Sequence, residues 1–139
     1  MEAQCSCGAV TVSIDALPAF INDCNCSLCR KSGAAWGYFT ASQVRVAGET
    51  SVFVRSDKDQ PAVQIHSCPS CHSTTHWTLT EDFQAKAPDP GATGVNMRLF
   101  ASDALIGVEI RFPDGAAWSG EGDYGYRRPP FVVTTDVQL

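Results

Sequence analysis

Along most of this chain apolar and polar residues alternate rather than recur at helical spacing. In residues 9–14, Val10, Val12 and Ile14 fall on one side and Thr11 and Ser13 on the other. A period of two marks a half-buried strand. The same reading predicts strands at 20–23, 36–40, 43–46, 51–55, 63–66, 74–79, 95–100 and 105–112. In the last of these Ile106, Val108 and Ile110 alternate with Gly107, Glu109 and Arg111. Residues 47–49 (Ala-Gly-Glu) supply a turn between two strands, and 85–94, rich in Pro, Gly and Ala, read as a loop. Residues 27–32 suggest a single helical turn. From about 113 the chain reads as an irregular tail, with Gly, Pro and Tyr concentrated at 119–130. No heptad and no internal repeat interrupts this pattern. The prediction is one domain over 1–139, mainly β, with metal knuckles at strand ends.

Composition sharpens the picture in two ways. Val, Ile and Thr number 27 against 6 Leu in 139 residues, a bias towards strands. The longest apolar run, 33–39, is far too short to span a bilayer. Nor does the N-terminus, Met1-Glu2-Ala3, open a secretory signal, so a cytoplasmic protein without a membrane partner is expected. The net charge of −5 argues against nucleic acid as a partner, because phosphate binding calls for a basic surface. The paired basic residues are Arg30-Lys31 and Arg127-Arg128.

Seven cysteines carry the chemistry: Cys5, Cys7, Cys24, Cys26, Cys29, Cys68 and Cys71. A disulfide scaffold favours an even number and a secreted chain. Spacings of Cys-x-Cys, Cys-x-Cys-x-x-Cys and Cys-x-x-Cys instead let neighbouring thiolates converge on one ion. Soft thiolate donors select zinc or an iron–sulfur cluster over magnesium or calcium. A closed zinc site takes four protein ligands and an open, catalytic one takes three. Seven divides that way, with Cys24, Cys26 and Cys29 as the open set and Cys5, Cys7, Cys68 and Cys71 as the closed one. Spacing alone also permits Cys26 and Cys29 to join Cys68 and Cys71, leaving Cys5, Cys7 and Cys24 over. His66, His72 and His76 flank the last pair. They read as structural: two lie in predicted strands, and His72 sits where a knuckle turn needs positive φ. A redox role for Cys26/Cys29 or Cys68/Cys71 lacks the βαβ context that such a motif has.

Three segments carry a resemblance: Cys5-Ser6-Cys7-Gly8-Ala9-Val10, Cys24-Asn25-Cys26-Ser27-Leu28-Cys29-Arg30-Lys31-Ser32-Gly33-Ala34, and Cys68-Pro69-Ser70-Cys71. In order and separation they resemble the glutathione-dependent formaldehyde-activating enzyme (GFA) family, which also contains the domain of centromere protein V. The likeness runs from about Cys5 to about Ala116, and residues 94–100 look like a bacterial subgroup. It implies an Mss4-like fold of several small antiparallel sheets with zinc knuckles. It implies two zinc ions per chain: a structural one on Cys5, Cys7, Cys68 and Cys71, and a catalytic one on Cys24, Cys26 and Cys29. The implied activity is that of a carbon–sulfur lyase joining a thiol such as glutathione to a small aldehyde such as formaldehyde. Asn25 stands where the family triplet usually has His, and His72 where its last knuckle usually has Gly.

On this reading the open position holds a thiol as thiolate for attack on the aldehyde, or polarises the carbonyl. Arg30 and Lys31, directly after the last ligand, are expected to hold a substrate carboxylate; a solvated pair beside an anionic site is the plainer reading. Trp36, Tyr38 and Phe39 are expected in the core rather than along the pocket. The rival function is a non-catalytic, zinc-stabilised β module that binds a protein partner, and an open coordination position discriminates between the two.

Overall fold

A computed structural model describes residues 1–87 and 91–139. Its strands are β1 (Glu2–Gln4), β2 (Thr11–Ile14), β3 (Phe20–Asn22), β4 (Trp36–Thr40), β5 (Val44–Ala47), β6 (Ser51–Val54), β7 (Val63–Ser67), β8 (Thr74–Leu79), β9 (Ala92–Asn96), β10 (Glu109–Arg111) and β11 (Phe131–Val132). Two short helices, α1 (Ser27–Ser32) and α2 (Glu81–Gln84), complete the regular structure with three 3₁₀ turns. The protein is mainly β, as its alternation predicts.

A small antiparallel sheet runs β1-β2-β5, and a larger one runs β11-β10-β3-β4-β9-β8-β7-β6. Its pairs are antiparallel except β3 with β10, which are parallel with Ile21 opposite Ile110. Val12 and Ile14 of β2 and Ile21, Val95 and Ile110 of the larger sheet are wholly buried in one core with Met97, Leu105, Phe112 and Val133. Burying each such side chain is worth about 1.5–3 kcal/mol. A second cluster gathers Ala34, Trp36, Ile65, Trp77 and Leu79, with Leu28 and Cys29 packed against it. That contact seats α1 on the sheet.

Four expectations shift. The strand expected at 95–100 ends at Asn96, whose side chain accepts the Arg98 amide at 3.2 Å and turns the chain into a 3₁₀ helix over Met97–Leu99. The strand expected at 105–112 shrinks to β10, because Gly107 adopts φ +92° and leaves Ile106 exposed. Of the loop expected at 85–94, residues 88–90 lie outside the described residues and 92–94 belong to β9. The tail expected from about 113 carries the bridge between Pro113 and Tyr126 and contains β11, which pairs with β10. β1 escapes notice in the sequence because three residues hold no period; its partner β2 makes it a strand.

Candidate metal centres and the adjoining cavity

Two knuckles build the first centre. In one, the Gly8 amide donates to the Cys5 carbonyl and the Cys5 amide to the Val10 carbonyl, both at 2.9 Å. In the other, the His72 amide donates to the Cys68 carbonyl at 2.9 Å and the Cys68 amide to Ser73 at 3.0 Å. The residue after the second cysteine of each takes a left-handed φ, +78° at Gly8 and 60° at His72. Glycine takes that conformation freely, and His is among the few side chains that tolerate it. The Ser6 and Ser73 hydroxyls meet at 2.9 Å and join the two turns.

The four sulfurs of Cys5, Cys7, Cys68 and Cys71 lie within 4.8 Å of one another. Cys7 Sγ is 3.6 Å from both Cys5 Sγ and Cys68 Sγ. Tetrahedral zinc at about 2.3 Å from each sulfur separates sulfurs by about 3.8 Å, whereas a disulfide needs about 2.05 Å. The donor set fits zinc. Val10 and Cys68 are wholly buried around it. Hydrogen bonds from Ser73, hydroxyl first and amide second, hold the Cys71 thiol down to about 5.

The second centre follows β3. Cys26 caps the N-terminus of α1, its sulfur accepting the Cys29 amide at 3.5 Å. The Cys26 amide in turn donates to Cys24 Sγ at 3.4 Å, and Trp36 Nε1 donates to Cys29 Sγ at 3.3 Å. The three sulfurs lie within 4.8 Å and are half-buried. The Cys24 thiol first, then Cys29, donates to Cys26 Sγ and holds it far below the ordinary thiol value. The hydrogen bond to Cys26 raises Cys24, and hydrogen bonds to Cys24 first and Cys26 second raise Cys29. Three sulfurs this close ionise together only around a cation, and the set fits a divalent ion with one position left for an exogenous donor.

The alternative grouping of Cys26 and Cys29 with Cys68 and Cys71 does not form. Nor does any His enter either cluster among the described residues. His66 and His76 face one another across β7 and β8 with rings stacked at 4.1 Å. Threonine hydroxyls reach both nitrogens of His66, from Thr50 and Thr78, and Nδ1 of His76, from Thr75.

Beside the triplet lies a cavity of about 400 Å³ lined by Asp23, Cys24, Cys29, Arg30, Arg98 and Arg127, among others. Lys31, one residue on, faces a different cavity of about 470 Å³ with Leu28, Phe53 and Arg55. Consecutive helical residues point about 100° apart, so Arg30 and Lys31 do not converge. The Arg55 guanidinium is held by Asp57 at 2.6 and 2.7 Å and reaches Ser27 Oγ at 3.2 Å. A larger hollow at Val54, Gln64 and Lys86 touches neither cysteine cluster. Trp36 and Phe39 are core residues, while Tyr38 is partly exposed and accepts a hydrogen bond from Asn22 Nδ2 at 3.1 Å.

The residues missed by sequence reasoning come from far along the chain. Asn25 Nδ2 donates to Asp114 Oδ1 at 2.7 Å and Asn25 Oδ1 accepts the Ala116 amide at 2.9 Å. Arg98 and Arg127 reach Asp23 from 75 and 104 residues away. No local spacing signals such contacts.

A family model described as glutathione-dependent formaldehyde-activating enzyme matches residues 1–105. A solved structure described as that of a Rhodobacter sphaeroides protein matches with TM-score 0.56 and 25% identity. The match covers 72% of this chain and 87% of that one. None of the curated proteins matches the chain. Among the described residues no helix is long and apolar enough to cross a membrane.

Proposed function

Because the chain belongs to the glutathione-dependent formaldehyde-activating enzyme family, we propose that it is a zinc-dependent carbon–sulfur lyase that adds a small thiol such as glutathione to a small aldehyde such as formaldehyde. The observation that carries this reading is the inequality of the two cysteine clusters, four sulfurs in one and three in the other. Cys24, Cys26 and Cys29 would hold a zinc ion, whose positive charge would favour the ionised form of a thiol near neutral pH.

The chain's own groups do the rest. Amides of Cys26 and Cys29 and the Trp36 indole N–H hold the three sulfurs in place. Donors fixed by backbone and core packing need little rearrangement during a reaction. Arg30 lines the same cavity as Cys24 and Cys29 and offers a planar fork to a carboxylate of the thiol. Lys31, on another side of α1, adds positive potential. In the addition a sulfur–carbon bond forms and the carbonyl π pair moves to oxygen. The proton of the thiol ends on that oxygen, so no oxidant or reductant is consumed.

Calorimetry with the zinc-loaded protein tests the reading. Glutathione is expected to bind more tightly than S-methylglutathione, which keeps the carboxylates and has no thiol to ionise. Cys26→Ser is expected to abolish the difference. Equal binding of the two, or no binding at millimolar concentration, overturns the lyase and favours a non-catalytic zinc module.

A further inference from the structure

Three arginines line the cavity beside the triplet. Arg30 comes from α1, Arg98 from the 3₁₀ turn after β9, and Arg127 from the C-terminal segment. Two of them share one anchor. Arg98 Nη2 lies 3.2 Å from Asp23 Oδ2, while Arg127 Nη2 donates to the Asp23 carbonyl at 2.5 Å and lies 3.8 Å from Oδ1. Each commits one nitrogen to Asp23 and leaves the other donors of its fork available. Among the described residues Arg30 has no ion-pair partner.

Three positive charges against one carboxylate leave this cavity wall net positive in a protein of net charge −5. The side chains of Arg98, Arg127 and Asp23 are 39%, 33% and 29% exposed. They are open enough to meet a ligand and enclosed enough to be screened less than free surface charges. Asp23 directly precedes Cys24 in the chain. A ligand held by sulfur at the triplet shares its cavity with this wall.

We propose that Arg98 and Arg127, bridged by Asp23 and joined by Arg30, form a carboxylate subsite that selects thiols bearing a carboxylate close to the sulfur. The proposal rests on the reading that the triplet takes a thiol. Arg98 and Arg127 make the contact; Asp23 is a positioning residue that holds two forks side by side. Arg127 lies beyond residues 1–105, so the subsite is built partly by chain outside the family match. Lys31 takes no part, because it lines the other cavity.

The test compares 3-mercaptopropionate with 2-mercaptoethanol, thiols of similar size with and without a carboxylate, by calorimetry on the zinc-loaded protein. The wild type is expected to favour the carboxylate thiol by about tenfold or more, the effect of one charge-assisted hydrogen bond. Arg98→Gln and Arg127→Gln are each expected to bring that ratio towards one and to leave 2-mercaptoethanol within about twofold of wild type. Arg98→Lys keeps the charge and loses the fork, so an intermediate ratio is expected. Arg45→Gln, in an exposed pair with Asp15 and not among the residues lining the cavity, is expected to change nothing. Equal wild-type affinity for the two thiols overturns the subsite, as do variants that weaken both thiols alike; the thiol reading survives either result. Absence of binding by either thiol overturns both. Should the glutamine variants lose zinc, the wild-type ratio and Arg98→Lys decide.

Discussion

The side-chain amide of Asn25 holds Asp114 at 2.7 Å across 89 residues of sequence. Its oxygen accepts the Ala116 amide at 2.9 Å, so one side chain grips the C-terminal segment on both sides of Gly115. The residue between Cys24 and Cys26 thus pins a wall of the chain against the triplet. Asn25→Ala leaves two partners to water and is expected to cost about 1–2 kcal/mol. Hydrogen exchange at the Ala116 amide is expected to rise markedly. Unchanged protection there would show that the segment is held by other means.

Gly115 is the close approach that this grip requires. A Cβ at this position lies 2.5 Å from Cys24 Sγ and 3.1 Å from Cys26 Cβ. Alanine suits the local backbone, so the consequence of Gly115→Ala is steric alone. The variant is expected to bind its second zinc at least about tenfold more weakly, a loss of about 1.4 kcal/mol, and to keep the first. Competition with a chromogenic chelator reads both. Two wild-type affinities would mean that the segment yields rather than the triplet.

The two centres are expected to differ in what they support. Elemental analysis is expected to give two zinc ions per chain. Cys68 is wholly buried between the two knuckles, and ligand free energy there is folding free energy, about 10–16 kcal/mol for structural zinc in small peptides. Cys68→Ser is expected to unfold the chain or lower its melting temperature steeply. Cys26→Ser is expected to remain folded with one zinc. Melting curves that coincide would reverse this division of roles.

The stacked histidines give a pH signature. Burial first, and the neighbouring His66 second, pull His76 from 6.5 down to about 4. Between those values the unfolded chain takes up a proton that the folded chain refuses. Stability is therefore full above about pH 6.5 and falls as pH drops through that window. From about pH 7 to about pH 5.5 this site alone is expected to remove about 1 kcal/mol. In excess zinc, His76→Gln is expected to lose less stability than wild type over that interval. Parallel denaturation midpoints for the two proteins would exclude the assignment.

The strands and the knuckles are readable in the sequence because both are local. A two-residue period needs only neighbours, and cysteines one or two residues apart reach the same ion whatever the rest of the chain does. His72 is readable for the same reason, since the turn after Cys71 demands the φ of 60° that it adopts. Strand ends are less so. Gly107 and the Asn96 cap stop two runs whose alternation promises more, because one backbone angle or one side-chain hydrogen bond outweighs a weak propensity.

By itself, then, the sequence determines a mainly β chain, its seven thiols and the local turns that present them. Which thiols gather is settled only in three dimensions, where the Cys5 and Cys68 knuckles meet and the Cys24 triplet stands apart. The separation of Arg30 from Lys31, and the arrival of Arg98, Arg127 and Asp114 beside the triplet, are likewise tertiary. Strand order decides such contacts, and strand order depends on burying the whole core at once rather than on any short stretch of residues.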